Sequence, residues 1–368
     1  MTLDKRIKNA GQLAKDAYKE LAKIQKGDKP ILKTGQDFID CHIGGILPSD
    51  VIMLAAGSGV GKTKLLYDTL DLMLSSDVNP KAENIVSLEY SLEMQYLNRI
   101  LRDNSKQLDK KKADILTQDF TESEKKVVER YYKGLQDDRR FVCEETITDR
   151  EFFEMTKSFC EIHKDKHAII VSLDHLLLVL PENQKLDRFE SISNYINQLR
   201  KMFKNVYFIL LSQFNRTYQS VIADRNNEMI PRTKMIYGSS HFEFLCSYII
   251  GLVDPFKSGV NEFMKVNKER YDWLEEYMTD EDKKGKVSFS TLGNHFYFCM
   301  KVRESDNIYK NLFIRPMELS DEELAKMKSQ VEEKPTEQFP TIPEFEDPFK
   351  DINPIDTTKA FEEDDKPF

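Results

Sequence analysis

The stretch Ala56-Gly57-Ser58-Gly59-Val60-Gly61-Lys62-Thr63-Lys64 has the residue types that hold a phosphate chain, with Ala56 where the usual pattern has its first glycine. Glycines let successive backbone N–H groups turn inward around phosphate oxygens, beside a helix N-terminus that favours negative charge. Lys62 is expected to reach the outer phosphates and the Thr63 hydroxyl to ligate Mg²⁺. The flanks have the required context. Val51-Ile52-Met53-Leu54 has the length and apolarity of a buried strand, and LLYDTL continues as a helix. A glycine-rich turn with an accidental Gly-Lys-Thr would not need both flanks.

Further groups suited to phosphate chemistry end later apolar runs. Glu89 follows Ile85–Leu88, where a carboxylate can polarise a water for in-line attack on a γ-phosphate. Asp174 ends His167–Leu173, the expected form of a Mg²⁺-organising carboxylate. Its neighbour His175 reads as a loop or packing residue, because the six histidines show no metal-ligand spacing. Gln213 ends Val206–Leu211-Ser212 and is suited to sensing a γ-phosphate through a hydrogen bond. Lys301 and Arg303 close a further strand with alternating spacing, which puts both cations on one face. Arg303 has the chemistry of an arginine finger for a neighbour's ATP; the plainer reading is an ion pair with Glu304 or Asp306.

These groups can meet only if the strands lie side by side with their carboxyl ends on one edge. Strands are expected at Val51–Leu54, Ile85–Leu88, Ala168–Leu173, Tyr207–Leu211, Tyr248–Leu252 and Phe296–Lys301, alternating with helices. The fold class that follows is α/β, a mostly parallel sheet covered by helices on both faces. Residues 3–27 read as a basic amphipathic helix, packed on its own domain or docked on a neighbouring subunit. Residues 255–290 look like an insertion containing a polar helix with the only tryptophan, Trp273.

Three domains result: 1–30 as a linker helix, 31–329 as the ATPase core and 330–368 as a disordered acidic tail. The net charge of −9 is concentrated in that tail, since residues 332–368 hold twelve acids against four lysines. The remaining 51 acids and 50 basic residues leave a near-neutral body, so bulk charge neither demands nor excludes nucleic acid. No apolar stretch approaches membrane-spanning length, no signal peptide opens the chain, and five scattered cysteines suit a reducing compartment. A cytoplasmic protein without membrane contact is expected, in the host cytoplasm if a phage encodes it.

In order along residues 31–317, these motifs resemble the RecA-like motor of DnaB-type hexameric replicative helicases. Ser87-Leu88-Glu89-Tyr90 looks like that family's Ser-Leu-Glu-Met, and Ser212-Gln213-Phe214-Asn215-Arg216 is similar to its Ser-Gln-Leu-Asn-Arg. Asp174-His175 falls where the family has Asp-Tyr and Lys301-Val302-Arg303 where it has Lys-Asn-Arg, while Arg99 sits near a family arginine. Thr34-Gly35 and Gly44–Pro48 resemble its entry into the first core strand.

The resemblance implies a RecA-like P-loop NTPase core and an ATP- and Mg²⁺-dependent ring, usually hexameric, that threads single-stranded DNA and unwinds duplex DNA during replication. Lys62 and Thr63 would hold the nucleotide and metal, Glu89 would be the base, Asp174 would organise Mg²⁺ and Gln213 would sense phosphate. Lys301 and Arg303 would act in trans, and the N-terminal helix would dock on the adjacent subunit. Asn215, Arg216, Arg232, Lys234, Gly238, Ser239 and Ser240 are the expected DNA contacts; Tyr237–Ser240 stands where the family has an Arg-bearing loop.

The family's N-terminal collar has no counterpart in the thirty residues before the motor, a trimmed form that suits a phage or mobile element. The ending Phe361–Phe368 resembles the acidic tips of single-stranded-DNA-binding proteins and is a candidate contact for primase, polymerase or loader; a solubilising tail is the plainer reading. The alternatives within the fold are a recombinase or clock-type ATPase, or a loader or assembly ATPase that does not unwind.

Overall fold

In the computed structural model, strand alternation organises the molecule. The structure describes residues 9–26, 31–183, 187–218, 230–258, 262–267, 286–302 and 312–317, with 325 and 327. Met1–Ser320 forms one compact unit and Asp321–Phe368 a second, in which the expected tail lies outside the described residues.

The first unit is built on an eight-stranded sheet. Its strands are β1 (Val51–Ala56), β2 (Ile85–Ser91), β3 (Arg140–Cys143), β4 (Ala168–Asp174), β5 (Val206–Gln213), β6 (Tyr248–Val253), β9 (Asn294–Val302) and β10 (Leu312–Pro316). The order is β10-β9-β6-β1-β5-β4-β2-β3. From β3 to β6 every neighbour is parallel, and β9 and β10 add an antiparallel end. The six expected strands are all present and run longer at their ends. The short edge strands β3 and β10 were not anticipated. In β3, which reads Arg-Phe-Val-Cys, no residue is fully buried.

Helices cover both faces, which is why the central strands are continuous apolar runs. One core packs Val51, Met53, Val171, Phe208 and Leu210 against α7 (Asp149–Ile162), α8 (Arg188–Met202) and α9 (Ser239–Leu245). The other packs Ile52, Leu54, Ile170, Tyr207 and Ile209 against α2 (Asp37–Ile43) and α3 (Lys62–Met73). Residue parity along each strand therefore decides which core a side chain joins. Between β2 and β3 stand α4 (Tyr96–Gln107), α5 (Lys112–Thr117) and α6 (Glu122–Leu135).

The N-terminal helix α1 spans Ala10–Gln25, capped by the Asn9 side chain. It buries no residue, and Leu13 and Leu21 are about half exposed, while Ala22 and Ile24 are partly covered. Two strands are described within the 255–290 segment. Glu262–Asn267 (β7) and Lys286–Ser290 (β8) pair as an antiparallel ribbon, while the polar helix expected around Trp273 lies outside the described residues.

Phe208 is fully buried in the central strand β5. Phe208→Ala is expected to destabilise the protein by about 3–5 kcal/mol, read as a lower urea midpoint at unchanged m-value.

Candidate active site

The phosphate loop joins β1 to α3. Gly59 and Gly61 adopt φ of 70° and 108°, in the left-handed region that side chains disfavour. Gly61 caps α3 without any side-chain hydrogen bond, so the first N–H groups of the helix remain available to an anion. Lys62 is buried at 5% exposure, and its ammonium pairs with none of the described carboxylates. Lys64 instead turns to Asp68 on its own helix at 2.6 Å. The loop is braced from outside: Lys257 Nζ donates to the Gly59 carbonyl at 2.5 Å and lies 3.7 Å from Asp254, and His295 lies 4.0 Å from Asp254.

Strand parity brings the other groups to this loop. Ala168 and Ile170 join the α3 core, so Ser172 and Asp174 continue on that face; Tyr207, Ile209 and Leu211 do the same for Gln213. In β2, Ile85 puts Ser87, Glu89 and Ser91 on the α3 side, where Ser91 Oγ meets the Tyr67 hydroxyl at 3.0 Å. Gln213 is in register with Ala56, and Asp174 with Ser91.

Glu89 is inside strand β2, 2% exposed, rather than just beyond it in a turn. Its Oε1 accepts from Arg140 Nε at 2.8 Å and from Ser87 Oγ at 3.2 Å. Arg99 Nη1 stands 3.7 Å from Oε2, beyond hydrogen-bond range, and Oε2 accepts no hydrogen bond. Arg99 is itself stacked 3.7 Å over the Tyr67 ring. Arg140 also donates to Asp71 of α3. Burial opposes charge on Arg140, but Glu89 and Asp71 outweigh it and raise its pKa. Sequence reading missed Arg140, Asp71 and Tyr67; Arg140 opens a short strand and carries no motif.

Asp174 is the opposite case. It is 1% exposed, and neither carboxylate oxygen accepts a hydrogen bond, although Thr63 and Lys62 are near enough to favour its charge. A buried carboxylate with empty acceptors beside a threonine hydroxyl fits a cation-binding pair, so the residues present suit Mg²⁺. Among the described residues there is no cluster of three or more His, Cys, Asp or Glu that would hold a metal unaided. His175 is more than a loop residue. Its Nε2 lies 3.4 Å from Gln213 Nε2 and 3.4 Å from Glu93 Oε2, and its Nδ1 accepts from the Leu177 N–H. Burial, with help from Lys62, lowers its pKa against the pull of Glu93.

The expected DNA contacts gather on the loops past β5. Asn215 holds the second loop through its N–H to Met235 O at 2.8 Å and its side chain to Lys234 O at 3.0 Å. Arg216, Arg232, Lys234 and Ser240 are exposed, and Gly238 precedes α9, which begins at Ser239. Lys301 is elsewhere. Antiparallel β9 pairs Lys301 with Ile249 near the start of β6, on the edge opposite the chain's own phosphate loop, where Lys301 donates to Glu243 O. Arg303 lies outside the described residues.

Residues 32–229 match the family model of the DnaB-like helicase C-terminal domain. The chain belongs to this family. The DnaB-like match spans the phosphate loop, Glu89, Asp174 and Gln213, and ends before Lys301. Among solved structures, the chain is similar to the ATPase domain of a phage protein, at 16% identity and TM-score 0.58, over 83% of this chain and 94% of that one. It is also similar to a DnaB-like replicative helicase solved with a view to its interactions with primase, at 18% identity and TM-score 0.51. That match covers 77% of this chain and 59% of the other. At such identities the likeness shows the fold, a RecA-like core. No curated protein matches the chain in sequence.

Burial pushes the Asp174 carboxyl up to about 6 from its ordinary 3.8, with Thr63 opposing, Glu93 adding and Lys62 opposing. The folded chain thus holds this proton more tightly than the unfolded chain. Stability from this group is greatest below 3.8, falls as pH rises towards 6, and the full penalty is present above it. That penalty is about 3 kcal/mol. Asp174→Asn should raise the melting temperature of the metal-free protein at about pH 8 and change it little in acid, below the ordinary carboxylate pKa.

Proposed function

We propose that this chain is an ATP-driven DNA helicase motor, a ring translocase on single-stranded DNA that unwinds duplex DNA during replication. The observation that carries the reading is a division between two edges. The phosphate loop, Asp174 and Gln213 share the carboxyl edge with Glu89 on the same face, whereas Lys301 stands on the opposite edge. A cation there cannot serve its own nucleotide; in this reading it serves a neighbour's, and the active unit is a homo-oligomer, a hexamer by family analogy.

In this reading Ala56–Lys64 cradles the ATP phosphates through loop N–H groups and Lys62. Glu89 takes a proton from the attacking water through Oε2, the carboxylate oxygen free of hydrogen bonds. Gln213 senses the γ-phosphate and passes its state through the adjoining β5 loop to Asn215, Arg216 and the 232–240 segment, which contact the DNA backbone. Thr63 and Asp174 would hold Mg²⁺, which when bound would neutralise charge on the phosphates. Lys301 and Arg303 act on the neighbouring subunit's nucleotide. The exposed stripe of α1 docks on a neighbour, and the acidic end of the chain recruits replication partners.

The test is ATP hydrolysis across protein concentrations, with and without single-stranded DNA, followed by strand displacement. Lys62→Ala and Arg303→Ala should each abolish most hydrolysis. Their mixture should recover part of it, since some interfaces then pair an intact loop with an intact finger. Hydrolysis that ignores DNA, concentration and Arg303→Ala would overturn the ring-motor reading in favour of an assembly ATPase.

A further inference from the structure

We infer that Arg140 is a positioning residue for Glu89, an inference that rests on the reading of Glu89 as the base. A carboxylate buried in β2 at 2% exposure needs an opposite charge beside it and a fixed bond to stay oriented. Arg140 supplies both. Its Nε donates to Oε1 at 2.8 Å, and Ser87 Oγ reaches the same oxygen at 3.2 Å. With Oε1 doubly held, the carboxylate plane is set and Oε2 is left as the oxygen without a hydrogen bond, the one this reading gives to the attacking water. Arg99 Nη1, 3.7 Å from Oε2, adds charge but is too far to fix the carboxylate through a hydrogen bond.

The same guanidinium also ties Glu89 to the phosphate-loop helix. Arg140 Nη1 donates to Asp71, two turns and more along α3 from Lys62 and Thr63. One planar fork thus bridges the strand that carries the base and the helix that carries the phosphate site, a task for which arginine geometry is suited and lysine geometry is not. The backbone fixes the fork's root: Arg140 is in register with Ser87 in the parallel β2–β3 pair, and Ser87 N donates to Arg139 O at 2.8 Å. Arg140 also lines a cavity of about 370 Å³ together with Asp71, Arg130, Tyr131 and Arg139. Removing the side chain would extend that cavity towards Glu89 and admit a free guanidinium ion.

The experiment compares full-length wild type, Glu89→Gln, Arg140→Ala and the double variant, with ATP turnover, nucleotide affinity and melting temperature measured for each. Expected are a loss in kcat of roughly ten- to a hundredfold for Arg140→Ala and a KM for ATP within about twofold of wild type. Millimolar guanidinium, but not urea or sodium chloride, should restore part of the turnover. In the Glu89→Gln background Arg140→Ala should cost nothing further. If Arg140→Ala does not fold, Arg140→Lys serves instead, with kcat reduced several-fold at unchanged nucleotide affinity. If Glu89→Gln abolishes turnover while the Arg140 variant keeps it, or its loss is additive with Glu89→Gln, the positioning role is overturned and the base stands. If Glu89→Gln turns over like wild type, the reading of the base fails and this inference with it.

Discussion

A sheet covered on both faces imposes a parity on every strand, and the candidate site depends on that constraint. Each central strand must divide its side chains between two cores, because both faces are sealed by helices. A polar residue at the carboxyl end of a strand inherits the side that parity assigns. Glu89, Asp174 and Gln213 all fall on the side of α3, the helix that begins at Lys62. A one-residue slip in any of these strands would turn its polar residue to the opposite core. Packing energy spread over dozens of buried apolar side chains thus holds three polar groups in place.

The two buried carboxylates of the site are treated differently by their surroundings. Glu89 is provided with two guanidiniums and a hydroxyl, while neither carboxylate oxygen of Asp174 accepts a hydrogen bond. A carboxylate already neutralised by the protein has no need of a further cation, whereas a bare buried one favours a cation or a proton. This difference supports separate tasks for the two groups, a base and a metal ligand.

The antiparallel end of the sheet introduces a second spatial division. Strand β9 runs against β6, so its first residues lie by the phosphate loop and its last on the far edge. His295 accordingly stands beside Asp254 and the loop, while Lys301 reaches α9. A motif at the end of a parallel strand would have stayed with its own nucleotide.

Much of this was legible in the residues. The phosphate loop announces itself through glycine spacing between a strand and a helix, and the six main strands through apolar runs too short for helices, because local backbone chemistry and burial leave periodic marks. Glu89, Asp174 and Gln213 stood out for the same reason: each ends or closely follows such a run. Strand β3 left no mark, since a four-residue edge strand that opens with an arginine and exposes Phe141 and Val142 has no continuous apolar signature. Nor did Arg140, Asp71 or Tyr67, whose significance comes from partners up to 69 residues distant in the chain, as Arg140 and Asp71 are. Burial and charge pairing across such separations are properties of the packed sheet. Residue type and spacing show which groups can do chemistry; the register of the strands sets which of them meet.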